Sequence, residues 1–591
     1  MLKIKAKNKR DLINCAMGKI EADLCLTNGQ LVNVITGEIY NADIYVYDGF
    51  IAHVETVNPG VEIKAKEIID CNGDFVMPGL IDAHVHIESS MLTPTNFAKG
   101  VLNHGTTTVI TDPHEVANVL GEAGVRYMHE KSEGLPMRQL INIPSCVPSV
   151  VGLENAGASF NADNIRELAK LNRVVGLAEV MDFIGVINCD DRMMDIIEEA
   201  EKHDLYLQGH APIISGRNLS AYAASNIRTC HESRLPNEFV EKMRNGISVD
   251  VRESSMIHNA AAAMEKTKNF KFYDFMTVCT DDREASDIIY KGHLNLTVRE
   301  LIKNGLDPVT AIKSATINNA REIKMDNLGA IAPGYVADII VCKSIEEVIP
   351  NKVFFEGKLV SQNGELTVDI EDKPFEIEEY NSINLELTTP ELFKIKAPIN
   401  NGKVKVNIMS YTAAGGAVSI KETVEVDVVN GYIDLSKDPS LKTIVILNRH
   451  GKGTIGYGIV KGFGVTKGAV ASTVSHDSHN LTVVFDNIID ASNVVNELIK
   501  CKGGISVSLD NKILYTLPLQ IAGLLSIEDA KTVAKQSKKM QEVLPLIGLE
   551  FMQNPLLRIA TCALIVIPEV KMSDLGLIDV FTRTLIPLFA E

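Results

Sequence analysis

The stretch Val76-Met-Pro-Gly-Leu-Ile-Asp-Ala-His-Val-His-Ile-Glu-Ser-Ser90 decides how this chain reads: an apolar run that ends in two histidines one residue apart. In an extended strand, residues i and i+2 point to the same side, so His84 and His86 leave the strand together as a pair of imidazole ligands. A lone H-x-H matches often by accident. What surrounds this one makes accident a poor explanation.

Working outward, residues 75–282 alternate short apolar runs with amphipathic segments, repeating every 25 to 35 residues or so. The runs are 75–86, 107–112, 140–144, 174–180, 205–210, 227–231, 247–251 and 275–281. Between them, Met193, Ile196, Ile197 and Ala200 follow i, i+3, i+4, i+7 spacing, one apolar stripe laid against a sheet. Thr93-Pro94 reads as an N-cap with the first helical residue, and Gly105 as a helix stop. Alternating βα units call for parallel strands, and eight of them favour closure into a (β/α)8 barrel, an α/β fold.

Ionisable residues cluster at the C-terminal ends of these runs. The first ends in His84 and His86, the fourth in Glu179, the fifth in His210, the sixth in His231, and the eighth in Asp281-Asp282. Active sites of such barrels are assembled from several strand ends at that rim. A structural account would need a separate reason for each polar group closing an apolar run. Imidazoles with carboxylates suit Zn²⁺, Mn²⁺ or Fe²⁺. His53 and His203 fall in the β unit and on a helix, and read as solvated bystanders.

The flanks differ from the barrel. Residues 22–77 read as short strands, with Asn28-Gly29, Asp48-Gly49 and Asn72-Gly73 supplying the positive φ of tight hairpins. After a packing helix over 306–321, residues 328–341 return to strands and turns that complete the first β unit. Residues 371–380 are acidic and read as a linker. The division is an N-terminal β unit over 1–74, the barrel over 75–326, a return segment over 327–380 making a small β-sandwich, and a C-terminal α+β domain over 381–591. That last domain is expected to begin with strands and end in helices.

Lys+Arg 58 against Asp+Glu 76 leaves a net charge of −18, which repels phosphate backbones and anionic membranes alike. The ten cysteines form no C-x-x-C pair in a chain of 591 residues, which fits a reducing cytoplasm. The basic N-terminus lacks a following apolar segment, and no 18 uncharged apolar residues run together, so neither export signal nor membrane span is read. The Gly-rich segment 451–468 matches no phosphate-binding motif and reads as turns. Ser475-His-Asp-Ser-His479 is denser in polar groups than an ordinary loop, open to a structural, interface, metal or active-site role. Cys279 reads as barrel packing.

Together, 76–90, the continuation to Met91, Thr111-Asp-Pro-His-Glu-Val-Ala-Asn118 and Cys279-Thr-Asp-Asp-Arg283 resemble the amidohydrolase superfamily and, within it, the adenine deaminase family. The likeness extends from about Leu24 to the end, including His450-Gly-Lys-Gly-Thr-Ile-Gly456 and Gly462-Phe-Gly-Val-Thr-Lys-Gly468. Many relatives that open cyclic amides bridge two metals with a carboxylated lysine on the fourth strand. Here Gly176-Leu-Ala-Glu-Val180 offers Glu179 in that place, as in adenine deaminases.

That resemblance implies hydrolysis of adenine to hypoxanthine and ammonia in purine salvage, by metal-activated water attacking C6. A divalent ion lowers the pKa of water from about 15.7 to about 7. The implied ligands are His84, His86, Glu179, His210, His231 and Asp281, with Glu179 bridging two ions, Mn²⁺ first, with Fe²⁺ or Zn²⁺ as alternatives. Asp281 is the expected proton acceptor. Glu88, expected to act catalytically, and His114, Asp282 and Arg283, expected to bind substrate, are all placed to protonate or recognise the purine, and the sequence does not choose among them. The alternatives are hydrolysis of a cyclic amide or N-acyl group, or deamination of another purine or nucleoside. A homodimer is the expected assembly.

Overall fold

The computed structural model describes residues 4–56, 63–372, 380–412, 418–550, 555–567 and 569–590. Most of the acidic stretch read as a linker, residues 373–379, lies outside them.

A nine-stranded sheet joins the two flanks of the barrel. Its N-terminal part, Ala22–Asn33, Glu38–Tyr47, Phe50–Glu55, Ala65–Asp70 and Phe75–Pro78, meets the return segment where Phe75–Pro78 pairs antiparallel with Ile339–Cys342. Phe75–Pro78 therefore belongs to this sheet and not to the first barrel run. The chain breaks at Gly79, where a Cβ would lie 2.4 Å from the Thr107 hydroxyl, so only a bare backbone passes into the barrel. Asp48-Gly49 forms the expected tight hairpin, both residues at positive φ. Asn28-Gly29 does not: the pair forms a bulge inside the single strand Ala22–Asn33, with the register shifting between Leu26 and Gly29. A helix absent from the sequence reading, Lys9–Ala16, precedes this sheet, capped by the Asn8 side chain.

The barrel strands are β1 Leu80–His86, β2 Thr106–Thr111, β3 Arg138–Ile143, β4 Val174–Val180, β5 Tyr206–Gly209, β6 Thr229–Cys230, β7 Ser248–Arg252 and β8 Met276–Cys279. Parallel ladders join β1 through β5 in order, and β6 through β8. The chain beyond β8, Asp281-Asp282, pairs with the end of β1 and closes that side. Across the remaining seam, Gly209 N donates to Thr229 Oγ1 at 3.1 Å. A Cβ on Gly209 would come within 2.2 Å of the Thr229 carbonyl, so β5 and β6 meet only because the residue is glycine. Every residue of β1 to β5 is buried, as continuous apolar strands covered on both faces must be.

Around the barrel, Thr93 caps Pro94–Val101 as expected, and Gly105 ends the turn that follows at φ +86°. The stripe Met193, Ile196, Ile197 and Ala200 is the buried face of Asp191–Lys202. The helix expected over 306–321 is two short ones, Pro308–Ser314 and Ile317–Glu322.

The C-terminal domain is a second nine-stranded sheet, antiparallel except where Gly402–Tyr411 pairs with Ile455–Lys461. Helix Ile488–Lys500 packs on it. The domain ends in a small antiparallel sheet, Val570–Ser573, Gly576–Asp579 and Thr584–Ile586, and not in helices. Gly576 at φ +123° sits at the first turn there. The domain rests on the barrel mouth: Asn155 Nδ2 donates to Asp574 Oδ2 at 2.8 Å, and Ser526 N to the Met91 carbonyl at 2.8 Å.

Candidate active site

Six of the strand-end residues converge at the rim. His84 Nδ1 lies 2.9 Å from Gln208 Oε1, whose amide is oriented by donation to the Ala83 carbonyl at 2.9 Å. His86 Nδ1 lies 3.0 Å from the Asp112 carbonyl. Both rings therefore carry their proton on Nδ1 and present a lone pair from Nε2. Those two Nε2 atoms are 3.1 Å apart. Lone pairs facing at that distance repel, and a cation between them turns repulsion into ligation. Asp281 Oδ1 stands 3.4 Å from His84 Nε2 and 3.1 Å from His86 Nε2, bringing negative charge to the same point.

Glu179 divides its carboxylate between two groups. Oε1 lies 3.4 Å from His86 Nε2, while Oε2 lies 3.0 Å from His231 Nε2 and contacts His210 Nδ1. His210 Nδ1 and His231 Nε2 are themselves 3.2 Å apart. Burial alone would raise the Glu179 carboxyl, but the His210 and His231 imidazoles hold it well below the usual carboxylate range. Buried imidazoles and carboxylates with facing lone pairs are the donor set of a divalent metal, so the residues fit the group.

Asp281 owes its direction to the backbone. It sits at φ +55°, a left-handed conformation that Asp tolerates better than most residues, at the start of the two-residue pairing with β1 that follows β8. Its other oxygen is held by Arg252 Nη1, whose Nη2 donates to Glu232 Oε1 at 2.7 Å. Burial opposes ionisation of Asp281, but Arg252, then His84 and His86, keep it well below its ordinary value.

A cavity adjoins these ligands. Its walls include Glu88, Ser89, Asp282 and Glu284 from the barrel and Val474 and His476 from the C-terminal domain. Glu88 Oε1 accepts from Val116 N at 3.3 Å and Oε2 has no hydrogen-bond partner among the described residues. Burial, then the Glu115 charge, pushes the Glu88 carboxyl up to about 7. Asp282 Oδ1 accepts from Ser89 Oγ at 2.6 Å.

The other expected residues are placed differently. His114 lies beside the ligands, its Nδ1 3.1 Å from Asp112 Oδ2 and 3.5 Å from Glu179 Oε1. Arg283 is not among the residues lining this cavity: Nε donates to the Gly292 carbonyl at 2.8 Å and Nη1 to that of Glu253 at 2.7 Å, tying loops together. His53 and His203 stand apart beside Glu55 and Glu199, and Cys279 is buried. The sequence reading missed Arg252 and Gln208. Arg252 ends β7, so the strand-end rule that found the acids applies to it as well, and Gln208 precedes His210 by the two residues that share a strand face.

Comparison with known proteins agrees with this geometry. Residues 75–360 match the amidohydrolase family and residues 417–584 the adenine deaminase C-terminal domain. The chain is 39% identical over 583 residues, 98% of both chains, to "Adenine deaminase" of Kosmotoga olearia. It is 38% identical over 98% of its length, and 99% of the other chain, to "Adenine deaminase 2" of Carboxydothermus hydrogenoformans. "Adenine deaminase" of Methanothrix thermoacetophila is 39% identical over 98% of this chain and 99% of its own. With residues 75–360 and 417–584 matched by the two family models and these relatives similar over 98% of the chain, the chain belongs to the adenine deaminase family of amidohydrolases.

Proposed function

We propose that this chain hydrolyses adenine to hypoxanthine and ammonia, a purine-salvage reaction, with two divalent cations per subunit held by His84, His86, Glu179, His210, His231 and Asp281. The observation that carries the reading is Glu179, whose two oxygens face separate imidazole groups, with a cavity nearby that Asp282, next to Asp281, helps to line. When bound, the cations lower the pKa of water and supply a nucleophile at neutral pH.

The chain's own residues do the rest. Asp281, fixed by Arg252, takes the proton released as the water oxygen bonds to C6, and returns it to the amine as the C6–N bond breaks. Such acid–base help is worth roughly 10²–10⁴-fold. Glu88 directs its unpartnered Oε2 at N1 of the purine, and Asp282, held by Ser89, borders the same ring. The C-terminal domain covers the mouth and excludes water, which strengthens every polar contact inside.

Mn²⁺ is the ion to load first. All ten cysteines are free thiols, which supports a cytoplasmic setting, and a homodimer is the assembly we expect. Adenine added to the Mn²⁺-loaded protein should disappear in the ultraviolet with one ammonia released per hypoxanthine. Turnover without ammonia would point to ring opening and contradict the reading.

A further inference from the structure

The polar cluster Ser475–His479 lies 360 residues from the barrel segment it meets, and it is ordered by that segment. Glu115, one residue into helix His114–Leu120, places Oε1 2.7 Å from His476 Nδ1, and its Oε2 accepts from His479 Nε2. His479 is fixed as that donor because its Nδ1 accepts from Ser475 N at 3.2 Å, leaving the proton on Nε2. The same tautomer argues against a third metal at this cluster, since the nitrogen that would ligate already carries hydrogen. His476 is further held by its backbone N–H, which donates to the Ala560 carbonyl at 2.9 Å.

What remains is the far side of the His476 ring. The residue is 8% exposed, it lines the cavity, and its Nε2 has no partner among the described residues. The cavity needs such a group. Its ionisable barrel walls, Glu88, Asp282 and Glu284, are acceptors when charged. Its two hydroxyls are already committed: Ser89 Oγ donates to Asp282, and Ser255 Oγ donates to Asp287 Oδ2 at 2.7 Å. With Glu88 assigned to N1, His476 Nε2 is the remaining side-chain donor of the lining with no partner among the described residues. A purine presents both N–H groups, which charged carboxylates can take, and ring nitrogens with lone pairs, of which protonated Glu88 serves N1 and leaves N3 and N7 to another donor.

Building on the adenine reading, we propose that His476 is a substrate-recognition residue, donating from Nε2 to a lone-pair nitrogen of the purine, N3 or N7, so that the C-terminal domain completes the barrel's site. Glu115 and His479 act as positioning residues, setting the angle of the ring. Burial disfavours a charged imidazole, but Glu115, then Asp282 and Asp477, outweigh it and raise His476 to about 9, which keeps Nε2 a donor at neutral pH.

The test compares adenine with 3-deazaadenine and 7-deazaadenine, each lacking one candidate acceptor, in the wild type, His476→Phe and His476→Gln, all Mn²⁺-loaded. The wild type should turn over adenine and lose about 10- to 100-fold in kcat/KM on one analogue, the worth of one buried hydrogen bond to a charged donor. His476→Phe should lose a similar factor on adenine, mostly in KM, and no longer distinguish adenine from that analogue, with bound metal unchanged. His476→Gln, which can offer an amide N–H at nearly the Nε2 position, should recover part of the discrimination. The inference is overturned if His476→Gln, or a folded His476→Phe, discriminates among the three bases as the wild type does with an unchanged KM. A wild type that releases no ammonia from adenine would sink the functional reading itself, and this inference with it.

Discussion

The chemistry rests on a few side chains whose protons are dictated by neighbours. Gln208 and the Asp112 carbonyl fix the tautomers of His84 and His86, and so decide that both offer a lone pair to one point. Replacing a hydrogen-bonding partner around a metal typically costs 10- to 100-fold, and a direct bridging ligand should cost more. Glu179→Gln is therefore expected to lower kcat/KM by more than about 100-fold and to reduce bound metal by elemental analysis; full metal content would contradict the bridging role. Arg252 is buried between Asp281 and Glu232. Arg252→Met removes the cation shared by two buried carboxylates, leaving Glu232 to Arg234 and Asp281 to His84 and His86, and breaking such a buried pair costs roughly 3–5 kcal/mol. Thermal melts should show that loss, and activity should fall with it because Asp281 is no longer held.

At the scale of elements, strand alternation and strand-end position made the site legible before any coordinates. His84, His86, Glu179, His210, His231 and Asp281 each lie at the end of, or just beyond, a barrel strand that is itself buried, which a parallel strand requires. Turn chemistry was read less well. Asn28-Gly29 carries the same signal as Asp48-Gly49, yet it makes a bulge, because a Cβ at Gly29 would come within 2.5 Å of Val76 and the packing of Phe75–Pro78 decides the outcome. Long-range packing of that kind has no local signature. The β5–β6 seam gives a direct check. Gly209→Ala should destabilise by roughly 1–3 kcal/mol as β5 is pushed from β6, measurable by denaturant unfolding. Unchanged stability would mean that the seam is not tight.

At the scale of the whole molecule, the barrel and the C-terminal domain share buried charge, and pairings such as Glu115 with His479 could not be read from spacing because the partners are hundreds of residues apart. Glu154 sits at this junction: Ser149 N donates to its Oε1 at 3.2 Å, and Asp477 and Ser478 face it from the other domain. Burial, then the Asp477 charge, raises its pKa from 4.5 to about 7. Between those values the folded chain holds a proton that the unfolded chain lacks, so stability falls as pH rises from 4.5 through about 7. Glu154→Gln stays neutral, and its melting temperature relative to wild type should climb across that window; a constant offset would contradict the shift. Six residues from distant parts of the chain are proposed to bind one pair of ions. Anomalous scattering from Mn²⁺-loaded crystals tests this most directly. Two peaks flanking the Glu179 carboxylate, one beside His84, His86 and Asp281 and one beside His210 and His231, are the predicted result; a single peak away from Glu179, or manganese bound elsewhere, would contradict it.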